Sequence, residues 1–256
     1  MTVYLVGAGP GDPELVTVRG AALLARADVV VYDRLIAHSL LDLAPPEAER
    51  LDVGKKPGQP SRQSDINALL VEHGSQGRAV VRLKGGDPFL FGRGGEEAEA
   101  LRAAGIPYEV VPGVTSAFAA PAAAGIPVTH RGLSTSVTVV TGHVGDPSAP
   151  GGVDWQALAR AGGTLVVMMG MADRARIAEA LIEGGRPGDT PVSVVHWGTT
   201  DKQRTERTTL DGLGDVDLPA PCTIVIGPVA GLDLSSTAAT PGGGSTAATP
   251  GGGEPT

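Results

Sequence analysis

Short apolar runs alternate with segments of helical periodicity along most of the chain. Residues 3–6 and 28–32 are rich in aliphatic and β-branched side chains, which is the pattern of strands buried on both faces. Residues 14–26 lie between them, and their apolar positions recur at the spacing of one helix face. A strand, a helix and a second strand in this order predict a right-handed βαβ unit.

The same alternation continues to about residue 230. It predicts helices at 64–73, 96–104, 117–124, 155–161 and 174–183, with Ser64 as the N-cap of the first, and strands at 79–83, 108–111, 136–143, 164–168, 191–196 and 222–226. Strands that alternate with helices are typical of α/β domains with parallel sheets. We divide the chain into an N-terminal α/β domain at 1–125, a linker at 126–135 and a C-terminal α/β domain at 136–231.

The C-terminal residues differ in composition from the rest of the chain. Residues 236–244 read STAATPGGG, and residues 245–253 repeat the same letters. A tract of Gly, Pro, Ser and Thr has too little apolar surface to offset the conformational entropy that folding removes. We therefore predict a disordered tail at 232–256 that takes no part in the chemistry.

The densest glycine cluster follows the predicted strand at 79–83. Residues 82–97 read RLKGGDPFLFGRGGEE, with five glycines between that strand and the next helix. Glycine is unfavourable inside helices and strands, but it permits sharp turns and lets a ligand lie directly on the main chain. In α/β proteins, ligands bind at the carboxyl ends of the strands. This loop is therefore the predicted centre of a binding site.

A second glycine loop, residues 7–13 (GAGPGDP), follows the first strand. It lacks the Gly-Lys-Ser/Thr of a P-loop. Gly7 and Gly9 after a strand, with Asp33 at the end of the next strand, resemble a dinucleotide-binding fingerprint. Pro10, however, removes a backbone donor where a pyrophosphate would bind, and the third glycine has a different offset. A nicotinamide-dependent oxidoreductase therefore stays as an alternative interpretation.

The composition excludes several classes of function. A net charge of −8 disfavours a general nucleic-acid-binding protein. The single cysteine, Cys222, excludes an intramolecular disulfide and a cysteine-based zinc site, and the five histidines lack ligand spacing, so we expect no metal. No apolar run approaches the roughly 18 residues of a membrane span, and the N-terminus lacks the pattern of a signal peptide. We expect a cytoplasmic protein that does not enter a membrane.

Several motifs then identify a family. In chain order they are residues 6–13 (VGAGPGDP), 31–35 (VYDRL), 53–55 (VGK), 82–97, 111–117 (VPGVTSA) and 125–131 (GIPVTHR). Together they resemble the tetrapyrrole methylase family over about residues 1–230, and the block at 82–97 resembles the branch that methylates uroporphyrinogen III. The resemblance implies two α/β domains with the ligand cleft between them, and a homodimer.

The resemblance also implies the reaction and the residues that serve it. S-adenosyl-L-methionine (SAM) would methylate uroporphyrinogen III twice, giving precorrin-2 and S-adenosyl-L-homocysteine. The implied catalytic residues are Asp33 as proton acceptor and Lys55 as proton donor, since carbon methylation of the macrocycle must release a proton. The implied cofactor contacts are Pro10, Gly85, Gly86, Asp87, Leu90, Thr115, Ser116, Met169 and Gly198.

The acceptor carries eight carboxylates, whereas the protein is acidic overall. Positive charge must therefore be concentrated in the cleft. Arginine suits this role because its planar guanidinium bonds both oxygens of a carboxylate. The candidates in or beside the motif loops are Arg34, Lys84, Arg93, His130, Arg131, Lys202 and Arg204.

The sequence also allows alternative interpretations of the function. Within the family, the chain could be a later precorrin methyltransferase with a different target carbon. A non-catalytic SAM-binding sensor would keep the fold without the reaction, although retention of Asp33 and Lys55 speaks against it. Because the chain starts at the first strand, we expect no fused dehydrogenase–ferrochelatase domain.

Overall fold

The first of the two sheets formed by the described residues is entirely parallel. The computed structural model describes residues 2–54, 63–142 and 152–235. The first sheet has the strand order β3-β2-β4-β1-β5. Its strands are β1 (Val3–Gly7), β2 (Val29–Tyr32), β3 (Glu49–Asp52), β4 (Val80–Lys84) and β5 (Tyr108–Val111). All their carboxyl ends therefore lie along one edge, where the glycine loops emerge.

Helices cover both faces of this sheet. They are α1 (Val18–Leu24), α2 (Gln63–Ser75) and α3 (Gly94–Ala103). On one face Val6, Val30 and Val81 pack with α1 and with a 3-10 helix at His38–Leu43. On the other face the alternate strand residues pack against α2 and α3. Burial on both faces explains why these strands are continuous apolar runs in the sequence.

The second sheet is mixed, with the order β6-β7-β10-β8-β9. Its strands are β6 (Val137–Thr141), β7 (Thr164–Met168), β8 (Pro191–His196), β9 (Arg204–Thr209) and β10 (Cys222–Ile226). Only β6 and β7 pair in parallel; β10 runs antiparallel to β7 and β8, and β9 runs antiparallel to β8. Residues of α5 (Trp155–Ala161) and α6 (Arg174–Glu183) complete the core of this half.

One helix joins the two halves. Helix α4 (Ser116–Ala123) follows β5 of the first sheet, yet it packs on β7 and β10 of the second. Ala120 and Ile126 share a buried cluster with Val195 and Val225. The loops at the ends of β1, β5 and β8 are thereby brought to the same place.

Three local predictions were wrong or incomplete. The predicted helix at 14–26 is a 3-10 turn at Pro13–Leu15 followed by the shorter α1, because the Thr17 hydroxyl accepts from Gly20 N and caps α1 there. Ser64 lies inside α2 and is not its N-cap. Strand β9 was missed because its sequence, RTERTT, has no apolar alternation.

The α/β fold class is confirmed, whereas the division into domains stays a proposal. The contacts of α4 associate it with the second sheet although it lies before residue 125. Residues 236–256 of the predicted tail lie outside the described residues. At its start, Leu234 N donates to Gly125 O at 2.9 Å, and Asp233 pairs with Arg207 at 3.5 Å.

Within the described ranges, no helix combines the length and the apolar character that crossing a membrane requires.

Candidate active site

Three glycine loops cross at the carboxyl ends of β1, β4 and β5. A Cβ on Gly7 would lie 2.5 Å from Gly113 Cα and 2.6 Å from Gly86 O, distances that no side chain tolerates. Gly86 N donates to Gly9 O at 2.7 Å and Gly9 N donates back to Gly86 O at 3.3 Å. The crossing therefore requires glycine at positions 7 and 113, whereas glycine at position 86 is favoured by its positive φ of 68°. The contact fixes the two predicted binding loops against each other.

Asp87 holds the third of these loops in place. Its Oδ2 accepts from Gly113 N at 3.0 Å and its Oδ1 accepts from Phe89 N at 2.8 Å. Gly86 lies beside Thr115, whose Cα would be 3.9 Å from a Cβ on Gly86, so the space above this glycine is open. The Thr115 hydroxyl caps α4 by accepting from Ala117 N at 3.2 Å. The structure thus brings the predicted residues Gly86, Asp87 and Thr115 together.

The loops of the second sheet close on the same region. Thr199 Oγ1 accepts from Asp12 N at 3.1 Å, and a Cβ on Gly11 would lie 2.6 Å from Thr200 Cγ2. Gly198 is pressed against helix α4, since a Cβ there would lie 2.7 Å from Ala120 Cα. Contact between these loops brings the loop after β1, which contains Pro10, against the loop after β8, which contains Gly198.

Backbone strain is concentrated in the same loops. Among the described residues, the non-glycine positions with positive φ are Phe91, Arg93, Met169, Trp197 and Thr199. They follow β4, β7 and β8, at the carboxyl ends of those strands. Such conformations are unfavourable and cluster at functional sites, where the surrounding structure enforces them. Nothing in the sequence signals this feature, because none of these residue types favours positive φ.

Apolar side chains are exposed in and around the cleft loops. The chain has three phenylalanines, and all are exposed: Phe89 by 58%, Phe91 by 39% and Phe118 by 44%. Met169, a predicted cofactor contact, is exposed by 53% at the end of β7. Phe89 and Phe91 lie in the glycine loop after β4, so their exposed rings make that loop a candidate apolar binding surface. These phenylalanines were not among the site residues predicted from the sequence.

Asp33 lies at the carboxyl end of β2, and its partner is not the neighbouring Arg34. Arg82 Nη2 donates to Asp33 Oδ1 at 2.6 Å, and within the described part of the chain Oδ2 accepts no hydrogen bond. Arg82 also donates through Nε to Glu97 Oε1 at 3.0 Å. The Asp33 side chain is 32% exposed, so it is anchored on one side and open on the other.

Lys84 differs from the other predicted substrate cations because it is buried. Its Nζ donates to Glu97 Oε1 at 2.9 Å, and its side chain is 3% exposed. Burial, and then repulsion from Arg82, lower the pKa of the Lys84 ammonium. Lys84 is therefore a partner of Glu97, and its placement does not support direct contact with substrate.

The remaining predicted cations are exposed. Arg93 forms two bonds to the Glu96 carboxylate, from Nε at 2.8 Å and from Nη2 at 2.6 Å, and these bonds raise the pKa of Arg93 and lower that of Glu96. His130 Nδ1 lies 2.8 Å from Arg131 O, and Lys202 Nζ lies 5.8 Å from the centre of the Trp197 ring. The exposed set is Arg34, Arg93, His130, Arg131, Lys202 and Arg204.

The positions of the other predicted residues complete the description of the site. Lys55 lies outside the described residues, which stop before it at Gly54. Gly85 and Leu90 lie in the loop after β4, and Ser116 begins α4. The described ranges contain no group of three His, Cys, Asp or Glu side chains arranged to hold a metal ion.

Cys222 lies at the start of β10, where its Sγ donates to Pro219 O at 3.1 Å and lies 3.7 Å from His196 Nδ1. Burial raises the pKa of the Cys222 thiol from 9.0 to about 11. Because the thiolate is the reactive species, we predict that iodoacetamide at pH 8 labels Cys222 at least about tenfold more slowly in the folded protein than in urea. Equal rates in the two states would contradict this assignment of Cys222 as an inert thiol.

Comparison with known proteins identifies the family of this chain. The family described as Tetrapyrrole (Corrin/Porphyrin) Methylases matches residues 2–214. An S-adenosyl-L-methionine-dependent uroporphyrinogen III methyltransferase of Methanosarcina barkeri is 48% identical over 235 residues, covering 90% of this chain and 92% of the relative. A siroheme synthase of Chromobacterium violaceum is 50% identical over 235 residues, covering 90% of this chain and 50% of the relative. The chain thus spans about half the length of that second relative.

A solved structure shows the same fold. The uroporphyrin-III C-methyl transferase from Thermus thermophilus, complexed with S-adenyl homocysteine, superposes with a TM-score of 0.77 at 44% identity, covering 90% of this chain and 98% of that one. The resemblance inferred from the motifs is confirmed by these matches. The chain belongs to the tetrapyrrole (corrin/porphyrin) methylase family.

Proposed function

We propose that this protein is a SAM-dependent C-methyltransferase that methylates uroporphyrinogen III twice to give precorrin-2. The observation that carries the proposal is the convergence of the motif loops of both sheets on one cleft, beside the anchored carboxylate of Asp33. The relatives named for this reaction support it, because one of them is 48% identical along 92% of its own length.

The cleft residues fit a SAM molecule. Gly86 leaves the main chain uncovered, so amide and carbonyl groups can bond a ligand that lies on it, whereas Gly85 packs against Leu35. Met169 offers an exposed apolar side chain for the adenine, and Thr115 and Gly198 lie in the loops that precede α4 and follow β8. Both Asp87 oxygens already accept backbone N–H groups, so Asp87 shapes the loop, and its direct contact with the ligand uses remaining lone pairs.

SAM supplies a methyl group already activated by a sulfonium charge, so the protein has to align the reactants and exclude water. Asp33 takes the proton released from the macrocycle, because its side chain is 32% exposed while its Oδ1 is held by Arg82. Lys55 is proposed as the proton donor. The exposed apolar surface of Phe89 and Phe91 suits the pyrrole rings of the substrate.

Arg93 and Arg131 are proposed to bind substrate carboxylates. Arg93 can leave Glu96 at little energetic cost, since its side chain is 56% exposed and exposed ion pairs are weak. We predict that the variant R93Q/R131Q raises the KM for uroporphyrinogen III by about 10- to 100-fold and leaves the Kd for SAM unchanged.

The matched control for this prediction is Arg160→Gln, which removes an exposed arginine from α5. It should leave both constants unchanged. An unaltered KM in R93Q/R131Q would show that other cations bind the carboxylates.

A homodimer is the assembly that the family resemblance implies, and the cytoplasm is the compartment expected from the sequence. Light scattering of the purified protein tests the first part, because a single species of twice the 25.8 kDa chain mass is expected. A monomer at micromolar concentration would contradict it.

The cofactor class separates the proposal from the nicotinamide alternative. A ligand that binds only the folded state raises the melting temperature by mass action. SAM should therefore raise it and NAD should not. Transfer itself is tested anaerobically with methyl-labelled SAM and uroporphyrinogen III: label in the tetrapyrrole supports the proposal, whereas SAM binding without any transfer overturns it.

A further inference from the structure

A row of charged side chains replaces the apolar row at the carboxyl end of the first sheet. Val80, Arg82 and Lys84 alternate along β4 and point to the face covered by α2 and α3. Val31 pairs with Arg82 across β2 and β4, so Asp33 follows on the same face beside Lys84. Strand alternation thus places two cations and a carboxylate on a face that is otherwise hydrophobic.

Glu97 is the fourth member of this row and comes from helix α3. Its side chain is fully buried, with an exposed fraction of 0%. Oε1 accepts from Arg82 Nε at 3.0 Å and from Lys84 Nζ at 2.9 Å, whereas Oε2 accepts no hydrogen bond from any described residue. Burying a carboxylate is expensive unless cations neutralise it, and here two do.

Arg82 connects this buried carboxylate to the cleft. Its Nε bonds Glu97 and its Nη2 bonds Asp33, while Nη1 lies 3.4 Å from the carbonyl oxygens of Val31 and Leu83. The guanidinium is rigid and planar, so fixing one edge on Glu97 fixes the direction of the other edge. A lysine at this position could not bond both carboxylates in that way.

We propose that Glu97 and Arg82 are positioning residues that hold the Asp33 carboxylate in the orientation for proton removal, an inference that rests on the proposed methyltransferase function. Glu97 orients Arg82, and Arg82 fixes Asp33 Oδ1 so that Oδ2 faces the cleft. Lys84 donates to Glu97 from the other side. None of the three need touch the substrate.

A double-mutant cycle tests this chain of contacts. Arg82→Lys should lower kcat by about 10²-fold through misplacement of Asp33, with the Kd for SAM unchanged. If Arg82 acts through Asp33, the double variant R82K/D33N will be no more than about threefold slower than Asp33→Asn alone. Multiplication of the two losses would overturn the proposal.

A second cycle combines Glu97→Gln with Asp33→Asn and tests the same contacts. It disturbs the packing less, because glutamine keeps the shape of the glutamate side chain. It serves if Arg82→Lys does not fold, as judged by circular dichroism and the melting temperature. Glu99→Gln, at an exposed position of the same helix, is the matched control and should leave kcat unchanged.

A measurement that does not depend on methyl transfer tests this inference separately from the proposed function. The carbon-13 chemical shift of the Asp33 carboxyl, assigned by its loss in Asp33→Asn, should change at pH 7 in Glu97→Gln and stay unchanged in Glu99→Gln. An unchanged signal in Glu97→Gln would overturn the positioning role even in an active enzyme. Absence of methyl transfer in the natural protein would instead count against the proposed function.

Discussion

Asp33→Asn is expected to slow methyl transfer by about 10²- to 10⁴-fold, the range that a positioned general base contributes. The substitution keeps the size of the side chain, and its amide oxygen can still accept from Arg82 Nη2. An amide cannot take the proton that the macrocycle releases, so kcat falls while the Kd for SAM stays the same. Single-turnover kinetics with methyl-labelled SAM, together with equilibrium SAM binding, measure the two quantities separately.

The control for this prediction is Asp42→Asn, which neutralises an exposed carboxylate in the 3-10 helix at His38–Leu43. It changes the net charge equally and should leave the rate unchanged. Loss of activity of less than about threefold in Asp33→Asn would show that another group accepts the proton.

Gly113→Ala is expected to have the second large effect, on the cofactor and on stability. A Cβ at this position would collide with Gly86 O and lie 2.7 Å from Gly7 Cα, so the crossing of the three loops must open. Overpacking of this kind lowers the free energy of unfolding by about 1–3 kcal/mol. Displacement of the Gly86 loop should weaken SAM binding by at least about tenfold. Urea denaturation and calorimetric titration measure these two effects.

Gly95→Ala is the matched control, because a Cβ there meets no atom within 4 Å. Gly95 lies in the first turn of α3, where alanine changes the free energy of unfolding by at most about 1 kcal/mol and in the stabilising direction. If Gly113→Ala bound SAM as tightly as Gly95→Ala, the crossing of the loops would not be what shapes the cofactor site.

The sequence predicted most of the strands because a strand that is buried on both faces appears in the sequence as a continuous apolar run. Runs such as Val29–Tyr32 and Cys222–Ile226 are apolar at all or nearly all positions, and the strands begin and end close to the predicted positions. Strand β9 has no such apolar run, because it lies at an edge of the second sheet and carries charged residues, as a loop would. The position of α4 could not be predicted either, because its packing on the second sheet depends on contacts with residues far along the chain.

The loops of the site were predicted as a region, but the network beneath them was not. Asp33 was implied by the family resemblance, whereas its partner Arg82, which is 49 residues away along the chain, was not. Lys84 was assigned to the substrate because it precedes the glycine loop, yet strand alternation turns it inward to Glu97. Charges at alternate positions of a buried strand were the available signal, and they indicate an internal ion-pair network when a helix supplies the opposite charge.

The mass of the tetrapyrrole formed from uroporphyrinogen III and SAM under anaerobic conditions decides the proposed function. We expect a product that has gained two methyl groups, formed in step with two equivalents of S-adenosyl-L-homocysteine and absent with Asp33→Asn on the same timescale. An unmethylated tetrapyrrole, recovered from protein that nonetheless binds SAM, would contradict the assignment.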